Sequence, residues 1–205
     1  QVDGTLTDFL TAPDPLGWLA DHRTDLPVPD DAQILPPVEN QEIWAAGVTY
    51  ERSRVARMEE SEGGGDFYDK VYTADRPELF LKAVGWRAGG DGDPIRVRRD
   101  SRWDVPEPEL TLVISSSGKI VGATVGDDVS SRSIEGENPL YLPQAKVYDG
   151  ACAVGPGIRV VDGTIDLRAL PIRLTIERGG AVAFTGETST ARMRRTPDEL
   201  AGWLY

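Results

Sequence analysis

The chain is predicted to adopt an α+β fold that is mainly β. Three observations lead there: many short apolar or alternating runs, turn-forming residues between them, and helical periodicity confined to a few stretches. Residues 1–40 are rich in Pro and Asp and read as a lead-in segment, with one short helix over 16–22 that Asp14-Pro15 would start. His22, the single histidine, reads as an exposed residue of that helix. The run Glu42-Ile43-Trp44-Ala45-Ala46-Gly47-Val48 is a buried strand, with Gly47 allowing a close approach of another backbone. The spacing over Tyr50 to Tyr72 fits a helix, interrupted at Gly63-Gly64-Gly65 by a hinge or loop.

Strands follow at Leu79 to Ala83, at Ile95-Arg96-Val97-Arg98 with strict alternation, and at Leu110 to Ile114. A turn at Ser117-Gly118-Lys119 leads to a strand over 120–125, so these last two form a hairpin. Further strands are expected over 151–154, 158–161, 172–177 and 181–185, the last pair joined at Glu177-Arg178-Gly179-Gly180. A closing helix starts near Thr196, a good N-cap, with Pro197 at its first position. The chain starts without Met and ends at Leu200-Ala201-Gly202-Trp203-Leu204-Tyr205, which reads as the middle of an amphipathic helix. A C-terminal part of the 41–205 domain is therefore expected to be missing. No repeat, phosphate-binding glycine motif or Gly-x-Ser-x-Gly is present.

Lysine and arginine number 22 against 34 acidic residues in 205, a net charge of −12. That sign argues against a nucleic-acid surface or an anionic membrane, both of which need a positive face. The local runs Arg96-Val97-Arg98-Arg99 and Arg192-Met193-Arg194-Arg195 read as solvated faces, though they leave room for a small anionic ligand. No apolar stretch approaches the roughly 20 residues of a membrane span, and no signal peptide is evident. A lone Cys152 excludes an intrachain disulfide, and a cytoplasmic location is the default.

The chemistry concentrates between Arg102 and Lys146. Glu107 and Glu109 are two apart, so on an extended segment both carboxylates point to one face. The hairpin that follows returns the chain toward its starting end, bringing Asp127 and Asp128 back toward them. Glu-Pro-Glu alone reads more readily as an exposed acidic edge. Three converging carboxylates, however, repel unless a cation neutralises them, and an oxygen-only set suits Mg²⁺, Mn²⁺ or Ca²⁺.

Four segments, Arg76-Pro77-Glu78-Leu79-Phe80, Pro106-Glu107-Pro108-Glu109-Leu110, Asp128-Val129-Ser130-Ser131-Arg132 and Glu135 through Lys146, resemble the fumarylacetoacetate hydrolase family in order and spacing. The resemblance is greatest to its 2-keto-3-deoxy sugar-acid dehydratase branch. It implies a mixed β-sandwich roll with few helices, usually a homodimer or homotetramer. It further implies Mg²⁺ held by Glu107, Glu109 and Asp128, active-site roles for Lys146 and Glu78, and substrate contact by Arg132; Ser130 is expected to bind substrate with it. Hydrolase members carry a His and a Glu that activate water. Ser53 and Ala56 stand at those positions here, which favours a dehydratase.

The expected reaction is therefore Mg²⁺-dependent dehydration of a 2-keto-3-deoxy sugar acid through a metal-stabilised enolate, with Lys146 and Glu78 sharing the proton work. The alternatives are hydrolysis, decarboxylation or isomerisation of a diketo or 2-oxo acid, and a non-catalytic metal-binding role.

Overall fold

The hairpin anticipated around Ser117-Gly118-Lys119 forms the centre of the fold. In the computed structural model, which describes residues 2–27, 30, 32–50 and 70–205, strands β5 (Pro108–Ile114) and β6 (Ile120–Asp128) pair antiparallel. The turn closes through Ser115 N–H to the Lys119 carbonyl at 2.8 Å, and Gly118 takes φ +77°, a left-handed value suited to glycine. Strand β8 (Cys152–Val160) lies antiparallel to β6, and β3 (Ala88–Gly89) runs parallel to β8, giving the mixed order β3-β8-β6-β5. The two strands expected over 151–154 and 158–161 are thus one.

A second ribbon, β1 (Glu42–Ala46) with β2 (Leu79–Val84), packs on this sheet. Ala83 of β2 meets Cys152 and Val154 of β8, with Ile43, Val38 and Ala88 around them. Helix α1 (Leu6–Thr11), which the Pro- and Asp-rich composition hides, is started by a capping box between Thr5 and Asp8. Its Phe9 and Leu10 pack on Val121 of β6, beside Val113 of β5. Helix α2 (Pro15–Asp21) starts at Asp14-Pro15 as expected. His22 caps it half-buried, stacked on Trp18 at 4.2 Å.

The strand expected over 95–98 is not formed. Ile95 and Val97 are 42% and 57% exposed, and Arg96 N–H makes a backbone bond to Gly150 O at 2.9 Å without a strand ladder. Alternation marks a strand only where a neighbouring edge is available to pair with it. The second basic run is not wholly solvated either: Arg195 is buried, donating to the Ala74 carbonyl at 2.5 Å, while Arg194 holds the carbonyls of residues 72–74. Most of the helix expected over 50–72, with the triple glycine, lies outside the described residues, as do Ser53 and Ala56. Among the described residues no helix is long and apolar enough to cross a membrane.

Strands β9 (Pro171–Arg178) and β10 (Ala181–Ser189) form the last hairpin through Gly179-Gly180. In the helix Pro197–Leu204 the Thr196 hydroxyl accepts from Glu199 N–H at 3.1 Å. Thr196→Ala is expected to cost about 1 kcal/mol of stability, lowering the thermal midpoint by a few degrees in calorimetry without altering any ligand binding.

Candidate active site

Backbone register brings the acidic residues to one end of the sheet. Glu109 lies opposite Gly126 in the β5–β6 ladder, and Asp128 N–H donates to the Glu107 carbonyl at 3.0 Å. Beyond Asp128, β7 (Ser130–Ser131) pairs with β4 (Asp104–Val105), and Ser131 caps helix α3 (Arg132–Glu137). Helix α4 (Leu142–Lys146) ends at the buried Lys146. On the opposite wall the β1–β2 ribbon sets Gly47 beside Glu78, with Gly47 N–H donating to the Glu78 carbonyl at 3.0 Å. The result is a cavity of about 140 Å³ bordered by Glu78, Glu107, Glu109, Asp128, Glu135 and Lys146, closed on one side by the Ala46 to Tyr50 turn.

The Lys146 ammonium stands between two of the carboxylates, 2.7 Å from Glu107 Oε2 and 2.8 Å from Asp128 Oδ2, and donates to Ser130 Oγ at 2.5 Å. Ser130 in turn donates to Glu107 Oε2 at 2.7 Å. Arg132 bonds Glu107 Oε1 at 2.8 Å and Glu135 Oε2 at 3.0 Å. Ser130 and Arg132 therefore lie behind the carboxylates, and neither is among the described residues that line the cavity. Burial, reinforced by the charges of Glu107 and Asp128, pushes the Glu109 carboxyl well above the usual carboxylate range. Burial likewise raises Asp127 to about 6, and its Oδ1 is buried with no hydrogen-bond partner among the described residues.

As they stand, no three acidic side chains among the described residues are close enough to share an ion. The physical reason is visible in the contacts: carboxylates that repel are held here by an ammonium, which is itself a cation in their midst. The donor chemistry nevertheless fits a hard divalent cation. Glu107, Glu109 and Asp128 offer only oxygen, while the buried Cys152 thiol is pushed up to about 12 by burial and is a poor rival ligand. Magnesium would be held by those three residues.

Two contributors escaped the sequence reading. Lys82, on β2, is 2% exposed, and its ammonium lies 2.6 Å from Asp128 Oδ1. Burial lowers its pKa, and the Asp128 charge opposes that shift. A lysine inside the apolar run Leu79-Phe80-Leu81-Lys82-Ala83 was the available signal. Glu135, buried and tied to Arg132, faces the cavity. Gly47 also acquires a sharper reason: a Cβ there would overlap the Glu78 carboxylate itself, not a backbone. Gly47→Ala is expected to displace that carboxylate and lower kcat about 10²-fold at nearly unchanged thermal midpoint, checked by steady-state kinetics and calorimetry.

Residues 42–204 match the family described as fumarylacetoacetate (FAA) hydrolase C-terminal. The chain is 53% identical over 189 residues to the probable 2-keto-3-deoxyxylonate dehydratase of Haloferax volcanii, covering 90% of this chain and 65% of that protein. It is 46% identical over 178 residues to the 2-dehydro-3-deoxy-D-arabinonate dehydratase of Saccharolobus solfataricus, covering 85% and 60%. The chain thus spans somewhat under two thirds of these relatives. A solved 2-keto-3-deoxy-D-arabinonate dehydratase complexed with magnesium and 2,5-dioxopentanoate superimposes with TM-score 0.82 at 37% identity, over 99% of this chain and 73% of that one. The strand order, the acidic cavity and these matches lead to one conclusion: the chain belongs to the fumarylacetoacetate hydrolase family.

Proposed function

We propose that this protein is a magnesium-dependent lyase that dehydrates a 2-keto-3-deoxy sugar acid, with Glu107, Glu109 and Asp128 holding the ion and Lys146 and Glu78 carrying protons. The observation that carries the reading is that both proton carriers and all three carboxylates border one small cavity. When bound, the ion supplies a Lewis acid that makes a proton next to the substrate carbonyl easier to remove. Manganese or calcium satisfies the same oxygen set.

Loss of water needs a base for the C3 proton and an acid that protonates the departing C4 hydroxyl. Lys146 and Glu78 approach the cavity from different places, the end of α4 and the residue just before β2, so they can serve two positions of one substrate. As the C3–H bond breaks, its electron pair forms the C3–C4 double bond and the C4–O bond breaks, the departing hydroxyl taking the proton of the acid and leaving as water; loss of a C5 proton and gain of one at C3 then turn the resulting 5-hydroxy-3-ene, through its enol, into the C5 aldehyde. Ser130 and Arg132 act through Glu107, the first by a donated hydroxyl and the second by its guanidinium. Phe80, Leu140 and Leu142 supply the apolar part of the lining. Within the same reading the protein works in the cytoplasm as a homodimer or homotetramer.

The test is direct incubation of the protein with 2-keto-3-deoxypentonates and Mg²⁺. Dehydration to the semialdehyde, abolished by chelator and restored by Mg²⁺, is the expected result. Inertness toward every sugar-acid epimer alongside hydrolysis of acylpyruvates would reverse the assignment.

A further inference from the structure

We infer that Lys82 is a positioning residue that sets the geometry between Asp128 and Lys146, a role resting on the reading of Lys146 as a proton carrier. Lys82 projects from β2 into the interior, and its three ammonium hydrogens have three acceptors: Asp128 Oδ1 at 2.6 Å, Val129 O at 3.0 Å and Lys146 O at 2.5 Å. Two of those acceptors belong to the polypeptide at Asp128 and its neighbour. The third is the main chain of Lys146 at the end of α4.

The Lys146 side chain meanwhile reaches the other oxygen of the same carboxylate, Asp128 Oδ2 at 2.8 Å. Lys82, Asp128 and Lys146 therefore close a ring in which Lys146 is held at both its carbonyl and its ammonium. An apolar residue at 82 would fill the space yet leave two main-chain carbonyls and Asp128 Oδ1 without this donor. Groups that orient a ligating carboxylate in this way change metal affinity or activity by about 10–100-fold when removed.

The test compares Lys82→Met with the parent protein, using Mn²⁺ titration, kcat and KM on a 2-keto-3-deoxypentonate, and circular dichroism. The expected result is a folded variant with Mn²⁺ dissociation constant raised, or kcat lowered, by about 10–100-fold while KM stays near its parent value. Should the Met variant fail to fold, Lys82→Gln carries the same readouts, since its amide keeps a donor without the charge. Unchanged kcat and Mn²⁺ affinity in a folded variant, whatever its thermal midpoint, overturns the inference. So does failure of both variants to fold, which would assign Lys82 to stability. A parent protein inert toward the sugar acids sinks the proposed reaction, while the Mn²⁺ titration still judges Lys82.

Discussion

Replacing Lys146 by alanine is expected to lower kcat by about 10²–10⁴-fold, the range a general acid or base supplies, without weakening divalent-cation binding. The second half of that expectation is the discriminating one. In the structure the Lys146 ammonium engages Glu107 Oε2 and Asp128 Oδ2, one oxygen from each of two residues that would hold the ion. Removing it leaves those carboxylates with less compensating charge while Lys82 still orients Asp128, so a divalent cation gains an incentive to bind. Steady-state kinetics with Mg²⁺ titration checks both halves. A variant that keeps its turnover removes Lys146 from the chemistry, and one that loses its ion assigns Lys146 to building the site.

The largest stability effect is expected at Asp128. Its two oxygens face two buried ammonium groups, Lys82 at 2.6 Å and Lys146 at 2.8 Å. Lys146 retains Glu107 when Asp128 is lost, but among the described residues Lys82 retains only main-chain carbonyls and no carboxylate. An uncompensated charge in the interior typically costs about 3–5 kcal/mol, softened where the lysine can shed its proton. Asp128→Ala should therefore lower the free energy of unfolding by about that amount in denaturant titration, with turnover lost as well. A decrease confined to a few tenths of a kcal/mol would mean that the triad is solvated and its charges independent.

Local signals made much of the site legible before its shape was known. Turn chemistry at Ser117-Gly118-Lys119 set the hairpin, and the hairpin brought Asp128 back beside Glu107. The cap at Thr196 and the start at Asp14-Pro15 were equally local. Missing from view were features that depend on distant packing. Residues 95–98 alternate like a strand but find no edge, and the segments 151–154 and 158–161 join because β6 offers one continuous partner.

The site followed the same division. Carboxylate spacing and the family resemblance named the acidic residues and Lys146, since these lie in compact motifs. That Ser130 and Arg132 stand behind Glu107 depends on how β7 and α3 fold back, a long-range outcome. Lys82 carries no motif beyond a charge in an apolar run, and only the β2-to-Asp128 contact gives it meaning.

In the proposed function Glu107, Glu109 and Asp128 take one hard cation beside Lys146. Anomalous diffraction from crystals grown with Mn²⁺ measures this most directly. A single strong peak bordered by those three carboxylates is expected, with the Lys146 ammonium withdrawn from Glu107. No peak at saturating Mn²⁺, or a peak elsewhere on the molecule, would contradict it.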